Sequence, residues 1–183
     1  QAEAGVSYNE GLSVTVRLGE LESVERQRDR GLGVTVYTDG RKGSASTSDL
    51  SSKAIQEVVA KAASISRFTN QDKFAGLAEA DLMAVTPSDL DLYHPWDLDV
   101  EAAEALALRS ENAARGLDAR IKNSEGATVS TGGGFRVYAN SHGFCNGYAT
   151  TSHSLSCSVV ADNNDSLERD YWYTVSRFPD GLD

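Results

Sequence analysis

The chain has 183 residues, 40% of them apolar, which is enough for one domain with a sizeable core and argues against a disordered polymer. Acidic residues number 27 against 17 basic ones, and a net charge of −10 would repel a phosphate backbone, so nucleic acid is not an expected partner. No apolar run approaches the ~20 residues of a bilayer-spanning helix and no charged-then-apolar leader is present, which predicts a cytoplasmic protein with no membrane partner.

Leu12, Val14, Val16 and Leu18 alternate with Ser13, Thr15 and Arg17, the period-two pattern of a strand with one buried face. Gly19-Glu20 offers a tight turn. A second strand, roughly Leu21 to Arg28, leads through Asp29-Arg30-Gly31 to a third in which Leu32, Val34 and Val36 alternate. Asp39-Gly40 is a hairpin signal, because both central positions of such a turn need positive φ. The stretch "KGSASTS" then returns as a strand of small side chains, completing a four-strand meander. It is no phosphate loop: Lys42 precedes Gly43, and the next helix begins only near Ser51. Gly43, Ala45 and Thr47 instead leave room for another backbone to approach.

Ser51 caps a helix whose Ile55, Val58, Val59, Ala62 and Ile65 fall on one face. From Arg67 to Trp96 the pattern weakens, with Pro87 and Pro95 punctuating an acidic stretch; a connection this long is expected to hold short elements, lie at an interface, or move. Asp99 caps a second helix with Glu101 in its first turn and an inward stripe of Ala103, Leu106, Ala107, Ser110, Ala114 and Leu117. Strand chemistry then resumes in "ARIKNSEGATVST", "GFRVYANSHGF", "GYATTSHSLSCSVVA" and "ERDYWYTVSRF", separated by glycine- or asparagine-rich turns. Strands, two helices, then strands again predict an α+β fold of antiparallel meanders packed with two helices, organised as a single module over residues 1–183.

Two cysteines, Cys145 and Cys157, are too few for a disulfide framework and are expected to be free. With His142 and His153 they are the usual raw material of a zinc site. Spacing argues against it: on one strand His153 and Cys157 share a face but stand about 13 Å apart at ~3.3 Å per residue. Ser152 and His153 point to opposite faces of a strand and cannot act as nucleophile and base. The "NSHG" stretch reads as a turn in which Asn140 bonds its own backbone; the competing reading sets His142 at a loop tip facing substrate or partner. Asn140 and His142 are therefore the weak binding candidates, and no residue qualifies as catalytic or metal-ligating. Arg26, Arg28, Arg30, Arg41 and Lys42 crowd two neighbouring turns and read as a solvated face that pairs with carboxylates.

Taken together, "GLSVTVRLGELESVE", "GLGVTVYTDGRKGSASTSDLS", "DLDLYHP", "NSEG", "ANSHGF" and "ERDYWYT" resemble, in order and through almost the whole chain, the N-terminal part of the PmbA/TldD family, in its PmbA (TldE) branch. The resemblance implies a fragment of a longer chain and a partner, since TldE-like and TldD-like proteins pair in a cytosolic zinc metallopeptidase that trims small or unfolded peptides. The family's metal motif, His-Glu-x-x-x-His, belongs to the TldD branch and to a later region. None of His94, His142 and His153 is followed by Glu. The expectation is a non-catalytic TldE-like subunit with no cofactor of its own, zinc sitting on a TldD-like partner in a hetero- or homodimer. A different class, a regulatory protein-binding module, is implied by the family's older label, modulator of DNA gyrase.

Overall fold

The computed structural model describes residues 1–84 and 86–182. Six strands and two α-helices follow one another as β1 (Ala2–Arg17), β2 (Glu20–Thr38), β3 (Arg41–Thr47), α1 (Ser52–Ser66), α2 (Val100–Gly116), β4 (Ile121–Asn140), β5 (Cys145–Asp162) and β6 (Leu167–Ser176), with short 3-10 turns at Ala80–Leu82 and Pro179–Gly181. The strand order is β3-β2-β1-β4-β5-β6, two meanders joined where β1 lies beside β4. The α+β prediction holds.

The Asp39-Gly40 turn forms where the sequence places it, whereas the first turn centres on Leu18 and Gly19, one position before the expected Gly19-Glu20. Leu18 and Gly19 have φ of 54° and 86°, and Asp39 and Gly40 have φ of 50° and 71°, so both hairpins use the paired positive-φ turn whose twist suits flanking strands. Between them the expected four strands are three. Asp29-Arg30-Gly31 does not turn; Gly31 keeps an ordinary φ, and β2 runs on because it has a neighbour to pair with on each side. The same correction applies after residue 120. "ARIKNSEGATVST" and "GFRVYANSHGF" are one strand, β4, whose Gly132, Gly133 and Gly134 stay extended. Their missing side chains admit a close neighbour: a Cβ on Gly134 would collide with the Tyr8 carbonyl, and one on Gly132 would sit 3.1 Å from the Glu10 carbonyl.

The chain condenses into two compact units, and β1, β2, β4 and β5 each contribute to both. The first comprises residues 1–9, 29–91 and 134–149. Its core is Leu32, Val34, Val58 and Ala62, with Val6, Val36, Ala45 and Leu50 packed around them. The Ser51 hydroxyl accepts from the Ala54 N–H at 3.3 Å and starts α1. Gly43 lies directly under that helix, where a Cβ would meet the Ala62 carbonyl and the Ser66 N–H. The small residues of β3 thus serve helix packing. The buried face of α1 is Val58, Ala62 and Ser66, while Ile55 and Val59 are largely exposed.

The second unit comprises residues 10–28, 92–133 and 150–183. Leu12, Val14 and Val16 of β1 pack with Ala127 and Val129 of β4 and with Ala103 and Ala107 of α2. Asp99 caps α2 by accepting the Ala102 N–H at 2.7 Å. Of the predicted stripe, Ala103 and Ala107 are buried and Leu106 packs against the core, whereas Leu117 is exposed, and the third buried position of α2 is Glu111.

Candidate functional site

The weak binding candidates, Asn140 and His142, stand on the β4–β5 turn in the first unit. Asn140 Oδ1 accepts the His142 N–H at 3.1 Å, the Asn140 N–H donates to the Phe144 carbonyl at 2.9 Å, and Gly143 takes φ +89°. Turn chemistry therefore explains the Asn and the Gly, as one of the two sequence readings has it. His142 and Cys145 are exposed beside a cleft of about 330 Å³ whose other wall includes Ala80, Met83 and Pro87. Asn140 Nδ2 reaches Met83 Sδ at 3.3 Å and ties that wall to the turn. The described residues supply no carboxylate to this cleft.

His153 belongs to the second unit and is buried on β5, while Ser152 is exposed on the opposite face, as strand alternation requires. Its Nε2 lies 2.9 Å from the His94 carbonyl and its Nδ1 2.8 Å from Thr131 Oγ1. A carbonyl only accepts, so Nε2 carries the proton of that bond and Nδ1 meets the Thr131 hydroxyl. The Trp96 ring stands edge-on at 5.4 Å. Nearby, Thr151 N–H donates to the Leu92 carbonyl at 2.9 Å, the His94 N–H donates to Thr151 Oγ1 at 2.9 Å, and Arg177 donates to the Thr151 carbonyl at 3.0 Å. The Phe178 ring packs on His94 at 3.9 Å. The "LYHPW" stretch, residues 92–96, is thereby stitched to β5.

These placements separate the four residues that composition suggested as zinc ligands. His142 and Cys145 lie in the first unit, His153 and Cys157 in the second. Both ring nitrogens of His153 are engaged within the fold, so it has no lone pair to offer an ion. Burial, with the Glu111 charge adding to it, pushes the Cys157 thiol above its usual range and away from the thiolate that metals require. Among the described residues no group of three or more His, Cys, Asp or Glu side chains converges as a metal would need. The described residues do not fit zinc. Both cysteines are free thiols.

The basic cluster is also rearranged. Arg26, Arg28 and Arg30 lie along β2 and are exposed, Arg28 reaching Glu10 at 3.4 Å, while Arg41 donates to the Thr69 carbonyl. Sequence reasoning missed Glu111, whose carboxylate accepts the Leu18 and Gly19 N–H groups, each at 2.8 Å. It also missed Thr131 and Arg177 as partners of the β5 network. Among the described residues no helix is long and apolar enough to cross a membrane.

Two family models match the chain in order: PmbA/TldA metallopeptidase domain 1 over residues 2–66 and PmbA/TldA metallopeptidase central domain over residues 93–183. A metalloprotease PmbA homolog of Haemophilus influenzae is 49% identical over 181 residues, covering 99% of this chain and 40% of the relative. The chain thus spans about two fifths of that relative's length. A proposed modulator of DNA gyrase from Bacteroides thetaiotaomicron superposes with a TM-score of 0.90 at 24% identity, covering all of this chain and 42% of the other. TldE from Thermococcus kodakarensis superposes with a TM-score of 0.73 at 16% identity, covering 96% of this chain and 40% of the other, and at such identities the likeness is one of fold. With both domain models and the close relative in agreement, the chain belongs to the PmbA/TldD metallopeptidase family, on its PmbA (TldE) side.

Proposed function

We propose that this chain is a non-catalytic, TldE-like component of a peptidase complex that processes or degrades small or unfolded peptides, with the zinc carried by a TldD-like partner. The observation that carries this reading is the state of His153: the one buried histidine among the described residues is spent on a hydroxyl and a carbonyl. A metallopeptidase family member with its most shielded imidazole used as a staple has a scaffolding part to play. Membership of the family supplies the reaction class, and the fold shared with a protein named TldE supplies the kind of partner.

The test is peptide hydrolysis by this chain, by a TldD-like protein and by the mixture, with zinc measured on each purified component. Activity and zinc that depend on the TldD-like protein are expected. Stoichiometric zinc and hydrolysis by this chain alone would overturn the reading.

A further inference from the structure

We propose that the free edge of β6 is the docking surface for the region that follows the central domain in the family's longer chains, which adds a strand to this edge and covers its aromatic side chains. β6 ends the strand order and pairs on one side only, with β5, in unbroken antiparallel register from Leu167 opposite Asp162 to Ser176 opposite His153. Among the described residues its other row of N–H and C=O groups has no strand beside it. Proteins blunt such edges with lysine, proline, bulges or brevity. Here all ten residues are paired, and Tyr171 to Ser176, "YWYTVS", contains neither charge nor proline.

The side chains are as open as the backbone. Tyr171 is 66% exposed, Trp172 79% and Tyr173 59%, and strand alternation sets Trp172 on the face opposite the two tyrosines. The tyrosine rings stack at 6.4 Å on one face. On the other, Trp172 borders a cavity of about 320 Å³ between α2 and β5, lined also by Leu106 and Leu155, which is room for an apolar side chain of an added strand. An incoming strand therefore meets main-chain partners along its length and apolar surface on both faces, the combination that β-augmentation uses.

The occupant follows from the family's architecture. The relative from Haemophilus influenzae extends well beyond the two fifths matched here, and the matched models are domain 1 and the central domain. β6 ends at Ser176, and Arg177 and Phe178 turn back onto Thr151 and His94, so in the family's longer chains the polypeptide that follows is tethered within a few residues of the C-terminal end of this edge. A covalently attached strand binds at an effective concentration in the millimolar range, which a free peptide or a second copy does not reach.

The experiment places a photo-crosslinking phenylalanine derivative at position 172 or 173, one on each face, in a full-length PmbA-type chain carrying this segment. Crosslinks within one molecule to the region beyond the central domain are expected at both positions. Links between copies, links to an added unstructured peptide, or no link would overturn the proposal. A second arm uses Trp172→Asp with Tyr173→Asp: limited proteolysis of the following region should accelerate at least tenfold, and an unchanged rate would count against docking. Neither readout measures hydrolysis of substrate, so this inference and the peptidase reading stand or fall separately.

Discussion

His153 Nε2 and the carbonyl oxygen of His94 meet at 2.9 Å across 59 residues of sequence, joining the end of the long connection to the middle of β5. Together with Thr131 this bond uses both sides of a ring that is 1% exposed. His153→Ala removes both bonds and opens a cavity beside Trp96. The expected loss is about 2–4 kcal/mol, from the cavity and the lost hydrogen bonds together. Urea unfolding checks it, and the zinc content of the purified variant should equal that of the parent. A variant as stable as the parent would mean that the staple contributes nothing.

Gly43 gives a second, purely steric prediction. Its hypothetical Cβ meets backbone atoms of Ala62 and Ser66, not the flexible end of a side chain, so α1 must shift to admit a methyl group. Gly43→Ala should cost about 1–3 kcal/mol, the range for overpacking a tight contact. Gly33→Ala is the control. A Cβ there meets nothing within 4 Å, and thermal unfolding should change by less than about 0.5 kcal/mol equivalent.

Local chemistry was legible in the sequence where the cause is local. Ser51 and Asp99 cap helices, Asp39-Gly40 turns a hairpin, and the alternation at Leu12, Val14 and Val16 marks a buried face, all within a few residues of the cause. Glycine misled where its role is set at a distance. Gly132 to Gly134 look like a turn, yet they are extended, and for Gly132 and Gly134 the reason is a neighbouring backbone more than a hundred positions earlier. Glu111 fails for the same reason. A carboxylate on a helix reads as solvated, and the turn that engages it is 93 residues away. For the candidate site, the Asn140 turn was one of two open readings, whereas the partners of His153 come from two separate segments, residues 94–96 and β4, that no spacing rule connects.

Tyr37 offers a pH signature at the alkaline end. Partial burial comes first, then the hydrogen bond to Glu3 at 2.8 Å and the Glu3 charge, and together they push the phenol from its usual value near 10 up to about 12. A raised folded value means that this stabilisation is complete below the unfolded tyrosine value of about 10 and is lost as the pH climbs through about 12. Ultraviolet difference titration should show a late-ionising tyrosine that disappears in Tyr37→Phe. Glu3→Gln should bring the transition back toward the ordinary range. An unchanged titration in Glu3→Gln would remove Glu3 as a cause.

Glu111 offers a signature on the acid side. Burial alone would raise its carboxyl, but the Ser124 hydroxyl, the Leu18 and Gly19 N–H groups and the Arg115 guanidinium outweigh that and hold it below the usual carboxylate range. A depressed folded value means that the stabilisation is intact above the unfolded glutamate value of about 4.3 and is lost as the pH falls through the lower folded one. Glu111→Ala leaves two turn donors without their acceptor at ~1–3 kcal/mol each, so a loss of about 2–6 kcal/mol is expected at neutral pH. Glu111→Gln keeps an acceptor without a charge: it should be milder, and its stability should fall less steeply than the parent's below pH of about 4.3. Urea midpoints measured across the acid range for the three proteins decide this. If the parent and Glu111→Gln decline in parallel, the acid sensitivity of the fold lies in other carboxylates and the β1–β2 turn is held by something besides this charge.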